Sequence, residues 1–213
     1  MKKSTISPSM PFSQACDNNK QPILDVLKLV FTKPITVVEI GSGTGQHSTY
    51  LSKHLPHVIW QSTDLQCNLS GIERWRDHSQ HKNLKPALAL NVRDQEWPID
   101  HVDAFFSANT AHIMSWEEVE LFVIGVGKHL LQGGHFCLYG PFKYNGSFTS
   151  DSNRAFDVHL RDVDPNRGIR DFEMIQALAL KSGLELIADH NMPANNQMVV
   201  WRKSNDEECF HAT

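Results

Sequence analysis

The chain has 213 residues and a formal net charge of -4, from 20 basic and 24 acidic side chains with its 12 histidines counted as neutral. That length suits one ordinary domain with a full core. A composition 40% hydrophobic and 21% charged excludes disorder, collagen-like repetition or a membrane-embedded chain as readings of the whole. An acidic balance without a basic stripe argues against nucleic acid as a partner.

Cys16, Cys67, Cys137 and Cys209 lie far apart with no C-x-x-C pair, so reduced thiols are expected, and no disulfide framework or metal site. No apolar run approaches the ~18–20 residues of a membrane span, and residues 1–11 lack the apolar stretch of a secretory leader. A cytoplasmic protein that does not engage membranes is the expectation.

In chain order, residues 1–21 are polar and broken by Pro8 and Pro11; they read as a flexible arm able to order over a site. From Pro22, suited to a first helical turn, Ile23, Leu24, Val26, Leu27 and Val30 follow at near-helical spacing until Pro34. The β-branched run 35–40 is a buried strand ending at Gly41. A helix over 46–55, a strand over 58–62 and a helix over 68–81 follow, the last carrying Leu69, Ile72 and Trp75. Strands are expected at 86–90 and 101–108, then an amphipathic helix at 116–131 closed by Gly133 and Gly134. After a central strand at 135–139, the segment 141–170 is rich in Gly, Asn, Asp and Ser and reads as loop with at most a short helix. A helix at 171–182 stops at Gly183, strands at 184–189 and 198–201 pair, and 204–213 is a frayed tail. Strands alternating with helices specify an α/β domain over 22–203, its mostly parallel sheet covered on both faces.

The most informative stretch is Glu39-Ile40-Gly41-Ser42-Gly43-Thr44-Gly45-Gln46, a strand emptying through three alternate glycines into a helix. Glycines let a ligand approach the backbone, and the helix start offers unpaired N–H groups. A dinucleotide fingerprint is spaced G-x-G-x-x-G around a pyrophosphate. Here the glycines alternate, and Glu39 would repel a phosphate but accept from an ammonium or an ordered water. The segment resembles the E/D-x-G-x-G-x-G turn of class I methyltransferases, which bind S-adenosylmethionine. Asp64, at the end of the second strand, is placed to accept both ribose hydroxyls or, alternatively, to cap a helix. Asn91 can present its amide to adenine between Leu65 and Val92, or serve as a turn residue.

Further motifs widen the likeness: Asn19-Lys20-Gln21-Pro22, Trp60-Gln61-Ser62-Thr63-Asp64, Asn109-Thr110-Ala111-His112-Ile113, Tyr139-Gly140-Pro141-Phe142, Ser152-Asn153-Arg154-Ala155-Phe156-Asp157, Gly168-Ile169-Arg170-Asp171 and Met192-Pro193-Ala194-Asn195-Asn196. With these the chain, from about Ala15 to Arg202, resembles an uncharacterised methyltransferase-like family, domain of unknown function 938, with methyltransferase-like protein 26 among its relatives. It departs from the family at Asn18, where Arg is usual, and at Asn91, where Asp is usual. The resemblance implies a Rossmann-like class I methyltransferase fold with a seven-stranded sheet. It also implies S-adenosylmethionine as cofactor and S-adenosylhomocysteine as product. The cofactor contacts expected are Asn19, Glu39, Gly41, Ser42, Gly43, Gly45, Asp64, Leu65, Asn91, Val92 and Asn109.

Methyl transfer needs alignment, water exclusion and sometimes a base. His112 and Tyr144 are the catalytic candidates, ahead of Asp157 and His159. Tyr139, Phe142, Asn153, Asp157, Arg170 and Asn195 are the substrate-binding candidates, with Arg154 or Arg170 able to hold an acidic group. The stretch 141–169 is long for an idle connection and reads as a lid over a small-molecule acceptor. Two readings of another class remain beside this one. The first is a non-catalytic S-adenosylmethionine or S-adenosylhomocysteine binder acting in interaction or sensing; the second is a nicotinamide oxidoreductase, disfavoured by Glu39 and the glycine spacing.

Overall fold

A computed structural model describes residues 10–204. The rest of the expected arm (1–9), the expected tail (205–213) and Cys209 lie outside the described residues.

The elements run α1 (Gln14–Val30), β1 (Ile35–Ile40), α2 (Gln46–His54), β2 (Val58–Asp64), α3 (Leu69–Ser79), β3 (Leu88–Ala89), β4 (Val102–Ala108), α4 (Trp116–His129) and β5 (Leu130–Gly140). They continue with β6 (Phe142–Tyr144), β7 (Ser147–Phe148), α5 (Asp151–Val163), β8 (Arg170–Asp171), α6 (Phe172–Lys181), β9 (Leu184–Met192) and β10 (Asn196–Lys203).

The main sheet has seven strands in the order β3-β2-β1-β4-β5-β10-β9. Strands β1 to β5 pair in parallel, and β10 runs antiparallel between β5 and β9. The seven-stranded, mostly parallel α/β fold expected from the sequence is the fold observed. Alternate strand residues feed two cores, as a period of two requires. Val37, Trp60, Ala104, Phe106 and Val200 pack with Ile23, Leu24 and Leu27 of α1 and Leu51 of α2. Val38, Phe105, Phe136, Val199 and Trp201 face Phe122 and Val126 of α4 and Ile175 of α6. Helix α4 begins on a reciprocal cap, Ser115 accepting from the Glu118 N–H while Glu118 accepts from the Ser115 N–H.

Two expectations are corrected. Residues 14–21, read as part of a flexible arm, form the first two turns of α1, so Pro22 stands inside the helix instead of at its start. The start is set by Ser13, whose hydroxyl accepts from the Cys16 N–H at 3.4 Å, with Asp17 in the first turn. Pro22 withholds a donor from the carbonyl of Asn18, but Asn18 is exposed, so water can take that place. The segment 141–170 is also more ordered than a loop with a short helix. A hairpin of β6 and β7 joins β8 in a three-stranded sheet, and α5 runs through 13 residues between them. Its start is fixed by Ser150, which accepts from the Asn153 N–H.

Candidate active site

Strand β1 lies where the chain order reverses, β2 and β3 on one side and β4 on the other. Open α/β sheets bind ligands at such a switch point, beyond the carboxyl ends of the strands. A cavity of about 990 Å³ opens there. Its walls come from the turns after β1, β2, β3, β4 and β5, from the β9–β10 turn, from α5 and from the start of α1.

The glycine turn forms the floor. Gly41 and Ser42 donate their N–H groups to the Thr63 carbonyl at 3.0 Å each, and Gly45 donates to the Ser42 carbonyl. Gly43 donates to Asp64 Oδ2 at 2.6 Å. These four donors are therefore spent inside the protein, and a diphosphate would find a carboxylate where it needs N–H groups. Gly43, at φ +58°, has nothing within 4 Å of the place a Cβ would take, so its open face belongs to the cavity. Gly41 is held differently: at φ +73° its Cβ would meet Thr110 Cγ2 at 2.4 Å.

Asp64 ends β2 and is 8% exposed. Its Oδ1 accepts from the Leu65 N–H and from Asn68 Nδ2, both at 2.7 Å, and Oδ2 takes only Gly43. One oxygen thus keeps capacity for a ligand hydroxyl. Leu65, exposed, and Val92, buried, both line the cavity beside Asn91. Asn91 Oδ1 accepts from the Arg93 N–H at 3.0 Å, which turns the amide nitrogen toward other partners.

Helix α1 closes the floor from above. The Ser13 N–H donates to Gln46 Oε1, Asn19 Oδ1 meets His47 Nε2 at 2.7 Å, and Trp75 Nε1 donates to the Pro11 carbonyl at 2.8 Å. Burial lowers His47 to about 4, so it is neutral at pH 7. Tyr139 also borders the cavity; burial raises its hydroxyl pKa against the pull of neighbouring Asn19 and Asn196.

On the turn after β4, His112 is 6% exposed. Burial, with Arg170 and Arg167 adding repulsion, lowers it to about 4. The ring is therefore neutral at pH 7 and, among the described residues, has no hydrogen-bond partner. Its edge meets Phe156 of α5 at 5.3 Å between centroids, and its carbonyl accepts from the Gly168 N–H. Asn109, at φ 61°, borders the same space.

Of the expected site residues, Asn19, Gly41, Ser42, Gly43, Asp64, Leu65, Asn91, Val92, Asn109, His112, Tyr139 and Asn153 meet on this cavity. The others do not. Glu39 lies behind the turn, 1% exposed, accepting from Trp60 Nε1 at 2.9 Å. Burial pushes it up to about 7, against the Trp60 and Ser42 contacts, with the charge of Asp64 pushing the same way. Gly45 serves packing, since a Cβ there would meet Ile72 Cα at 2.9 Å.

Tyr144 stacks on Phe172 and donates to Asp189 Oδ2 at 2.6 Å, away from the cavity. Phe142 is core. Asp157 accepts from Arg161 Nε and from the Ile169 N–H. Arg170 donates to the carbonyls of Ala111, Met114 and Asn166, pinning the His112 loop to the turn after α5. Asn195 accepts from Asn153 Nδ2 on its carbonyl and donates its amide to Ser152 Oγ at 3.4 Å. Arg154 lies over the Phe148 ring, and His159 is exposed on α5.

Sequence reading missed the α1 cap Ser13 and Cys16 on α1, Ser152 and Phe156 on α5, and Asp164 and Arg167 beyond it. The Ser13 cap and Asp17 are a helix-start signal that would have found the first pair. Nothing local marks Arg167. Among the described residues no group of three or more His, Cys, Asp or Glu is placed to hold a metal, and no helix is long and apolar enough to cross a membrane.

Solved structures share this architecture. An O-methyltransferase family protein from Burkholderia thailandensis superposes with TM-score 0.77 at 15% identity, covering 90% of this chain and 58% of its own. An O-methyltransferase family 2 protein from Planctomyces limnophilus, in complex with apigenin, gives 0.75 at 12% identity, with 89% and 60% covered. Human N-acetylserotonin methyltransferase, in complex with SAM, gives 0.71 at 13% identity, with 90% and 53% covered. The chain thus spans little more than half the length of these structures, and the likeness is one of fold. The sequence profile of one family, described as "Protein of unknown function (DUF938)", matches residues 10–203, and the chain belongs to that family.

Proposed function

We propose that the protein is an S-adenosylmethionine-dependent methyltransferase acting in the cytoplasm on a small-molecule acceptor. The observation that carries this reading is the glycine turn, whose N–H donors are spent on Thr63 and Asp64 while Gly43 leaves an open face. Such a floor suits a nucleoside with hydroxyl and ammonium donors better than a diphosphate. Asp64 Oδ2 would take ribose hydroxyls, the Asn91 amide the adenine edge, and Leu65 with Val92 the faces of that ring. Asn19, Ser42 and Asn109 would border the remainder. When bound, S-adenosylmethionine would supply an electrophilic methyl group on sulfonium, with the thioether as leaving group.

The chain's own part is positioning, exclusion of water and, where the acceptor must lose a proton, receipt of it at a neutral His112 nitrogen. Helix α1 and the segment 141–169 are the two covers that would keep water out, the second in the role of a lid. One observation favours the non-catalytic alternative, a binder of S-adenosylmethionine or S-adenosylhomocysteine in sensing or interaction: among the described residues no carboxylate or hydroxyl bonds to His112 to orient it.

Calorimetry with S-adenosylmethionine, S-adenosylhomocysteine and NAD tests the cofactor, and binding of NAD alone would overturn the proposal. Labelled donor incubated with a metabolite extract tests turnover. A methylated small molecule is expected; tight donor binding with no product in any extract selects the non-catalytic alternative.

A further inference from the structure

On α5 and the turn beyond it, polar groups that border the cavity have no hydrogen-bond partner among the described residues. Arg167 sits in the turn after α5, fixed by its own N–H donating to the Asp164 carbonyl at 2.9 Å. A guanidinium carries five N–H donors. Among the described residues none of those of Arg167 makes a hydrogen bond, and Nε is buried. Asp164 Oδ2 stands 3.9 Å from Nε, beyond hydrogen-bond reach. Asp164 Oδ1 is taken by the backbone N–H and side-chain amide of Asn166. Arg161 and Arg170, close by, are engaged on Asp157 and on backbone carbonyls. Among the described residues lining the cavity, Arg167 is the one Lys or Arg.

Asn153 supplies a second unused group. It is 6% exposed, and its amide hydrogens go to Thr149 Oγ1 and to the Asn195 carbonyl, both at 2.9 Å. That fixes the orientation of the amide and leaves Oδ1, on a residue that lines the cavity, as an acceptor with no hydrogen-bond partner among the described residues. Phe156, one helical turn on, presents an aromatic surface against His112.

We infer that the acceptor is an organic monoacid that also bears a hydroxyl or N–H group: Arg167 holds its carboxylate, and the second group donates to Asn153 Oδ1. The inference rests on the methyltransferase reading only in calling this molecule an acceptor. A carboxylate matches a single guanidinium as a planar, two-pronged partner. A phosphate monoester would bring more negative charge than one arginine, with Asp164 beside it, can offset. A carboxylate next to Arg167 also relieves part of the repulsion on His112 just as the acceptor arrives.

Binding of 4-hydroxybenzoate and 4-hydroxybenzamide (the benzoate and benzamide below), which share the hydroxyl and the ring shape and differ in charge, tests this by calorimetry without any methyl donor present. Wild-type protein is expected to hold benzoate about tenfold or more tighter than benzamide. Arg167→Gln should lose that preference while S-adenosylhomocysteine affinity stays unchanged, and Arg167→Lys should recover part of it. Equal affinity for the two probes, binding of neither, or a benzoate preference surviving Arg167→Gln overturns the inference. The methyltransferase reading stands or falls separately, on donor binding and turnover.

Discussion

At the glycine turn, Asp64 accepts from Gly43, Leu65 and Asn68, and the backbone donors close on Thr63. Elsewhere on the cavity, the Arg167 guanidinium, Asn153 Oδ1 and the His112 ring have no hydrogen-bond partner among the described residues. The first wall is pre-organised by its own bonds and tolerates little change in shape. The second carries Asn153 and Arg167 on α5 and the turn beyond it, and His112 on the turn after β4, where a change is expected to remove recognition before it removes structure. A binding floor can thus be rigid because it is internally bonded, while selectivity comes from groups left unbonded.

The sharpest way to break this contrast is Gly43→Val. A branched side chain at φ +58° both strains the backbone and fills the open face. S-adenosylhomocysteine binding by calorimetry should fall at least about a hundredfold, far more than for any change across the cavity. Glu39→Gln probes the support behind the floor. The folded chain holds the Glu39 proton up to about 7, whereas the ordinary value is 4.5. Across that window the folded state binds more protons than the unfolded one, so wild-type stability falls as pH rises through it. The glutamine variant should gain on wild type by roughly 3 kcal/mol between the two limits, read from urea melts. His47 and His112 act in the opposite sense below about 6.5, but equally in both proteins, so the difference isolates Glu39.

Asp64→Ala should weaken S-adenosylhomocysteine by ~1–3 kcal/mol through lost hydroxyl contacts and a looser turn. For His112, depressed to about 4, activity should rise through that pH and then stay level to pH 8, while His112→Ala lowers kcat and leaves donor affinity intact. A rate that instead climbs through pH 6 to 7 would place the ring in a wetter setting than the one described. The smallest effect belongs to Tyr144→Phe, which loses one partly exposed bond to Asp189. Its cost should be about 1 kcal/mol or less, with kcat/KM unchanged.

The same contrast explains what could be read from the sequence. Strand β1, Gly41 to Gly45 and Asp64 were legible because a β-branched run, alternate glycines and a carboxylate ending the next strand are local patterns with one geometric solution. Glu39 was visible too, but its burial against Trp60 was not, because that bond joins neighbouring parallel strands. Tyr144 and Arg170 sit close in sequence to the motifs around them yet turn to Asp189 and to backbone carbonyls. Arg167 and Phe156 reach the cavity only because α5 returns through β8 to pair with β6. The polar stretch 14–21 reads as an arm because Pro22 resembles a helix boundary, whereas the Ser13 cap fixes the start.

That early start of α1 has a practical consequence for anyone trimming the chain. A version cut at Pro22, the boundary its proline suggests, would discard the side chain that meets His47 and the residue bonded to Gln46. It would keep the sheet and both hydrophobic cores nearly whole, yet leave the cavity unroofed, so a well-folded fragment would fail to bind the proposed nucleoside for reasons of anatomy alone.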